Sequence, residues 1–82
     1  MNDIERAIHR FIAESLLEDE EFELTVDTPL LEYRIIDSLS VEELLVHVHD
    51  TYGVLIEDLP PTDWDTIGKL ARIIAARRVA GV

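Results

Sequence analysis

Glycine and proline are so scarce in this chain that they mark out its architecture. The three glycines and three prolines are Pro29, Gly53, Pro60, Pro61, Gly68 and Gly81. Between them run helix-length stretches with few backbone breaks. No strand-like alternation persists and no internal repeat is visible, so the pattern predicts an all-α fold. It consists of three main helices and one short one, packed as a small bundle. With 82 residues the chain is a single domain spanning 1–82. A chain this short buries about 60% of the surface it exposes when unfolded, so the core is small. It has no cysteine, which excludes a disulfide framework and any thiolate zinc or redox site.

Each stretch carries its own periodicity. Ile4, Ile8, Phe11, Ile12 and Leu16 recur at helical spacing and predict a first helix over 3–17, with Asp3 as its N-cap. The run Glu18-Asp19-Glu20-Glu21-Phe22-Glu23 is expected to be a solvated loop or a frayed helix end. A long loop over 24–37 follows, with a turn at Thr28-Pro29 and the pair Leu30-Leu31 entering the core. Val41, Leu44, Leu45, Val48 and Tyr52 trace the clearest stripe and predict a helix over 38–52. Asp37 or Ser38 caps its start, Ser40-x-x-Glu43 is an overlapping capping-box match, and Gly53 ends it. Pro60 and Pro61 open a short turn ending near Trp64. Thr66 caps a last helix that turns Ile67, Leu70, Ala71 and Ile74 inward.

Charge narrows the functional classes. Acids outnumber bases 18 to 7, for a formal net charge of −11. Phosphate binding needs a basic face, so the charge argues against nucleic acid as a partner and equally against docking on an anionic membrane. At 48% hydrophobic the chain has enough apolar residues to fold. No apolar run approaches transmembrane length, and Met1-Asn2-Asp3-Ile4-Glu5 shows neither the basic nor the apolar region of a signal peptide, so the expectation is a cytoplasmic domain. Between Phe11 and Gly68 the only base is Arg34, among sixteen acids. The middle helix and its flanking loops therefore form a negative pole, either a solvated face or a docking face for basic partners.

Little in the sequence resembles a catalytic site. His47 and His49 are two apart and do not share a helix face, His9 is distant in sequence, and no metal-ligand spacing occurs. No phosphate-binding glycine loop or nucleophile elbow is present. A serine–histidine hydrolase is the weakest of the readings. One polar spot stands out: Ile35-Ile36-Asp37-Ser38-Leu39-Ser40 puts a serine at the start of the best helix, inside the negative pole. Taken alone, Asp-Ser at that position is ordinary helix capping.

In its context that segment resembles the attachment motif of the acyl carrier and peptidyl carrier protein family. The likeness spans nearly the whole chain. Asp37-Ser38-Leu39 is similar to the family's Asp-Ser-Leu, with Leu30-Leu31 and Ile35-Ile36 as the apolar residues before it. Val41-Glu42-Glu43-Leu44-Leu45, Tyr52-Gly53-Val54 and Asp63-Trp64-Asp65-Thr66-Ile67 resemble the family's later landmarks. The resemblance implies that the protein is not itself an enzyme. It implies that Ser38 carries 4′-phosphopantetheine, installed from coenzyme A by a phosphopantetheinyl transferase, with Asp37 shaping the attachment turn and assisting the transferase's metal site. A phosphate there is expected to meet free backbone N–H groups at the helix start. The arm's thiol would hold a substrate as a thioester.

Leu39 lies off the helix's apolar stripe and is expected to be exposed. The family pattern makes Leu39, Glu42, Glu43, Val46 and Asp50 the partner-contact positions. Implied partners are an acyl- or aminoacyl-loading ligase and synthase or transferase enzymes with basic docking patches, served by a monomeric carrier. Arg34 replaces a common glycine, and Ser40 and His49 stand where fatty-acid carriers are often acidic. These departures point away from housekeeping fatty-acid synthesis. They point toward D-alanyl carriers or discrete polyketide and nonribosomal peptide carriers. The rival from another class is an unmodified acidic docking module in which Ser38 is only a cap.

Overall fold

Capping chemistry explains where each helix begins. In the computed structural model, which describes residues 1–17, 23–32 and 35–78, α1 spans Asp3–Phe11. Its cap is Asn2 rather than the expected Asp3. Asn2 Oδ1 accepts from the Glu5 N–H at 2.8 Å, and Glu5 Oε1 accepts from the Asn2 N–H at 2.8 Å. This reciprocal pair satisfies two donors, whereas Asp3 is already helical. Beyond Phe11 the backbone widens into a π-helical segment, Ile12–Leu17, where a continuous α-helix was expected. Nothing among the described residues explains the change of pitch. The acidic run from Glu18 to Phe22 and the lone base Arg34 lie outside the described residues.

The long loop is held at several points. Thr25 and Thr28 close a turn around Val26 and Asp27, with the Thr25 N–H donating to Thr28 Oγ1 at 2.9 Å, so the turn falls just before the expected Thr28-Pro29. The Leu30 N–H donates to the Asp65 carbonyl at 2.8 Å, and Ile35 and Ile36 both donate back to the Leu30 carbonyl. Leu30, Ile35 and Ile36 are buried and Leu31 is half-buried. The Gly68 N–H donates to the Val26 carbonyl at 2.9 Å. A Cβ at Gly68 would stand 3.3 Å from that same oxygen, a contact tighter than most side chains tolerate.

Helix α2 spans Ser38–Tyr52 and ends at Gly53, whose φ of 69° is the left-handed conformation that glycine adopts without cost. Pro61–Asp63 form a 3₁₀ turn. Helix α3 spans Ile67–Arg77, capped by Thr66, which accepts from the Lys69 N–H at 3.1 Å. Among the described residues there is no strand, and the order is three helices with the short turn before the last.

The core joins Ile8 and Ile12 to Leu44 and Val48 of α2 and to Ile67, Leu70, Ala71 and Ile74 of α3. Leu24 and Leu30 plug it from the long loop, and Val54, Ile56 and Trp64 close it from the α2–α3 connection. Each of the buried Ile, Leu and Val side chains contributes about 1.5–3 kcal/mol by leaving water. The radius of gyration, 11.9 Å, matches the roughly 12 Å of a compact chain this long. No helix of the described residues is long and apolar enough to cross a membrane.

Candidate functional site

The start of α2 is set from both sides. Ile35 and Ile36 are anchored in the core immediately before it, and Leu44 and Val48 seat the helix behind it. Between these anchors Asp37 is extended and exposed, and its Oδ1 accepts from the Leu39 N–H at 3.1 Å and the Ser40 N–H at 2.9 Å. Of the two capping candidates, Asp37 is the cap and Ser38 is the first helical residue. The overlapping Ser40-x-x-Glu43 box is not used, because both residues already lie inside the helix. The Ser40 N–H, then the Ser40 hydroxyl and the Leu39 N–H, hold the Asp37 carboxyl below the usual carboxylate range.

This arrangement corrects one expectation. Two of the three backbone donors that open α2, those of Leu39 and Ser40, are not free for a phosphate, which leaves the Ser38 N–H. Asp37 Oδ1 takes those of Leu39 and Ser40, and the Asp37 carbonyl takes that of Val41 at 2.8 Å. An anion on Ser38 would meet an ionised carboxylate instead of an open cradle. The residues still fit an attached arm in another respect. Ser38 is exposed, and a group linked through its Oγ would extend into water without being held down.

Helical geometry groups the other predicted residues. At 100° per residue, Ser38, Leu39, Glu42, Glu43, Val46 and Asp50 fall within an arc of roughly 140°. All six are exposed. Leu39 is 70% exposed and Val46 56%, a large apolar display for residues two turns apart on a helix. His49 sits within the same arc, its Nδ1 3.4 Å from Asp50 Oδ1. On the opposite side Leu44 and Val48 are buried, while Val41, Leu45 and Tyr52 are half-buried.

His9 and His47 are committed elsewhere. His9 Nε2 lies 2.9 Å from the Leu24 carbonyl, which can only accept, so this nitrogen carries the proton. His47 stacks on Phe11 with ring centroids 3.9 Å apart and an angle of 8°. Burial there pushes the imidazole pKa down, against a smaller upward pull from Asp50. His47 and His49 follow Ser38 by nine and eleven residues, roughly 13 and 16 Å along the helix axis, so neither reaches the serine hydroxyl. Among the described residues no group of three His, Asp or Glu side chains is placed to hold a metal ion.

Two features escaped the sequence. Arg77 clasps the α2–α3 connection, donating to the Leu55 carbonyl and bidentately to Asp58 at 2.7 and 3.1 Å. A cavity of about 430 Å³ opens between α2 and that connection, with Trp64 in its lining. Both depend on residues brought together from distant parts of the chain, and the lone tryptophan was the one hint of the second. No model of a known protein family matches this sequence, and no curated protein matches it significantly.

Proposed function

We propose that this chain is a discrete carrier protein and that Ser38 is its point of attachment for 4′-phosphopantetheine. The observation that carries the reading is the pairing of an exposed serine at the first residue of α2 with an exposed face of acids and apolar side chains on the same helix. In the modification, Ser38 Oγ bonds to the phosphorus bearing the pantetheine arm of coenzyme A. The pyrophosphate bond breaks, 3′,5′-ADP leaves, and the serine proton passes to the transferase. The arm supplies a thiol that the chain, having no cysteine, lacks. Chemistry on the cargo belongs to the partner enzymes.

Asp37 sets the turn that presents Ser38, and its occupation of the helix donors favours a swinging arm over a docked one. Leu39 and Val46 offer apolar contacts, and Glu42, Glu43 and Asp50 offer carboxylates to a basic partner surface. A bundle in the arrangement of the acyl carrier proteins is part of this reading, as are a cytoplasmic location and service in a specialised biosynthetic pathway. The test is intact mass after incubation with coenzyme A, magnesium and a broad-specificity phosphopantetheinyl transferase. A single arm gained by the wild type and not by Ser38→Ala supports the reading. No gain on a folded sample leaves Ser38 the unmodified first residue of α2 and makes the exposed α2 face a docking surface without covalent modification.

A further inference from the structure

Of the three histidines, His49 alone stands within the exposed arc of α2. His9 is bonded to the Leu24 carbonyl and His47 is stacked on Phe11. The His49 side chain is 56% exposed, and its polar contact among the described residues is Asp50, whose side chain is 71% exposed and whose Oδ1 lies 3.4 Å from Nδ1. The other charged groups of this face are Glu42 and Glu43, up to two turns back along the same helix. From the end of α3, Arg78 reaches this end of α2, its guanidinium carbon 5.9 Å from the centre of the Tyr52 ring. Among the described residues no charged group of α1 or of the long loop pairs with His49.

An imidazole is the one side chain that ordinarily changes charge between about pH 8 and pH 5, where carboxylates, lysine and arginine keep theirs. A proton on His49 puts positive charge against Asp50. The carboxylate is then engaged within the chain, and a cationic surface approaching the face meets like charge. We infer that His49 makes the α2 face a pH-dependent docking surface, which takes a basic partner near neutral pH and releases it in mild acid. The attraction is fully present above the range in which the imidazole titrates and is lost as pH falls through it. The inference rests on the reading of α2 as a docking face and not on modification of Ser38, so it applies to a carrier and to an unmodified docking module alike.

The test uses the full chain and an amphipathic peptide built only of leucine, alanine and lysine. The peptide is acetylated, amidated and labelled with tetramethylrhodamine, so the probe itself does not titrate in the interval. Its affinity is read by anisotropy at low, constant ionic strength, at about pH 7.5 and about pH 5.5, with the helicity of each chain checked at both. Wild-type affinity is expected to fall about threefold between the two, the size of one exposed charge pair. His49→Gln is expected to hold its affinity across the interval. His47→Phe, which keeps an aromatic ring against Phe11 but cannot titrate, is expected to fall as the wild type does. No fall in the wild type, an equal fall in His49→Gln, or no fall in His47→Phe overturns the inference. Glu43→Lys combined with Asp50→Lys separates it from the reading beneath it. If that double variant loses the peptide while the wild type shows no pH dependence, the docking face stands and the pH dependence is overturned. If the wild type does not bind the peptide, or the double variant binds it equally well, the docking face is overturned and this inference with it.

Discussion

The outer faces of α2 and α3 carry opposite charge and use it differently. On α3, Lys69 bonds to Asp65 at 3.0 Å and to the Thr62 carbonyl at 3.2 Å, while Arg77 clasps Asp58 and the Leu55 carbonyl. Arg78 reaches over the Tyr52 ring. These cations staple the molecule to itself. On α2, Glu42 and Glu43 have no ion pair among the described residues and stand beside exposed Leu39 and Val46. Charge that is spent internally contributes to the fold; charge left unpaired next to exposed apolar groups is available to a partner.

The comparison breaks first if the two sides of α2 do not differ in their effect on stability. Leu44→Ala, at a fully buried site, is expected to cost about 2–5 kcal/mol in urea unfolding, a large share of a small domain's total. Leu39→Ala is expected to stay within about 0.5 kcal/mol. A large loss from Leu39 would place it in the core and remove it from the docking face.

Kinetics sharpen the contrast between helices. Glu43→Lys combined with Asp50→Lys is expected to slow modification by a transferase severalfold at low salt, with the difference shrinking as salt is raised. Arg72→Glu on α3 makes a charge change of the same size per residue and is expected to leave the rate near that of the wild type. Faster modification of Arg72→Glu would reduce the effect to net charge, because that substitution makes the chain more negative.

Capping effects come next. Asn2→Ala and Thr66→Ala are each expected to lower stability by about 1 kcal/mol, read as a shift in thermal midpoint. Asp3→Asn, with Asn2 intact, should do much less, because Asp3 is not the cap.

The pH effects are the smallest. The folded pKa of His47 lies below its ordinary value near 6.5. Its contribution is therefore present above that value and is lost as pH falls through the folded pKa. His47→Leu should flatten this slope in unfolding curves measured between neutral and mildly acidic pH. Asp37 and Asp58 are also depressed, from 3.8. Their contributions are present above that value and disappear only in stronger acid, so the two windows separate.

What the sequence reveals follows the range of the interactions involved. Helix α2 was legible from Asp37 to Gly53 because cap, stripe and terminating glycine are all local, and Thr66 and Pro61 announced the rest in the same way. Exposure of Leu39 followed from its angle on the helix. The Asn2 cap was missed because Asp3 is chemically equivalent and stands next to it; the Glu5 three residues on was the available clue. The π-helical segment was hidden because the apolar spacing of Phe11, Ile12 and Leu16 suits either pitch. The Phe11–His47 stack, the Arg77 clasp and the cavity join residues far apart in the chain, so no local pattern encodes them. The occupied backbone donors of Leu39 and Ser40, beside Ser38, are a finer point. The motif names Asp37 and Ser38, but only the folded structure shows Asp37 taking the hydrogen bonds.

The absence of cysteine makes the central claim directly measurable. A thiol titration of the purified chain, before and after treatment with coenzyme A and a phosphopantetheinyl transferase and removal of free coenzyme, counts only thiol that the arm brings. The account predicts none before, one per chain after, and none after in Ser38→Ala. A folded wild-type chain that acquires no thiol, or a Ser38→Ala chain that acquires one, would contradict it.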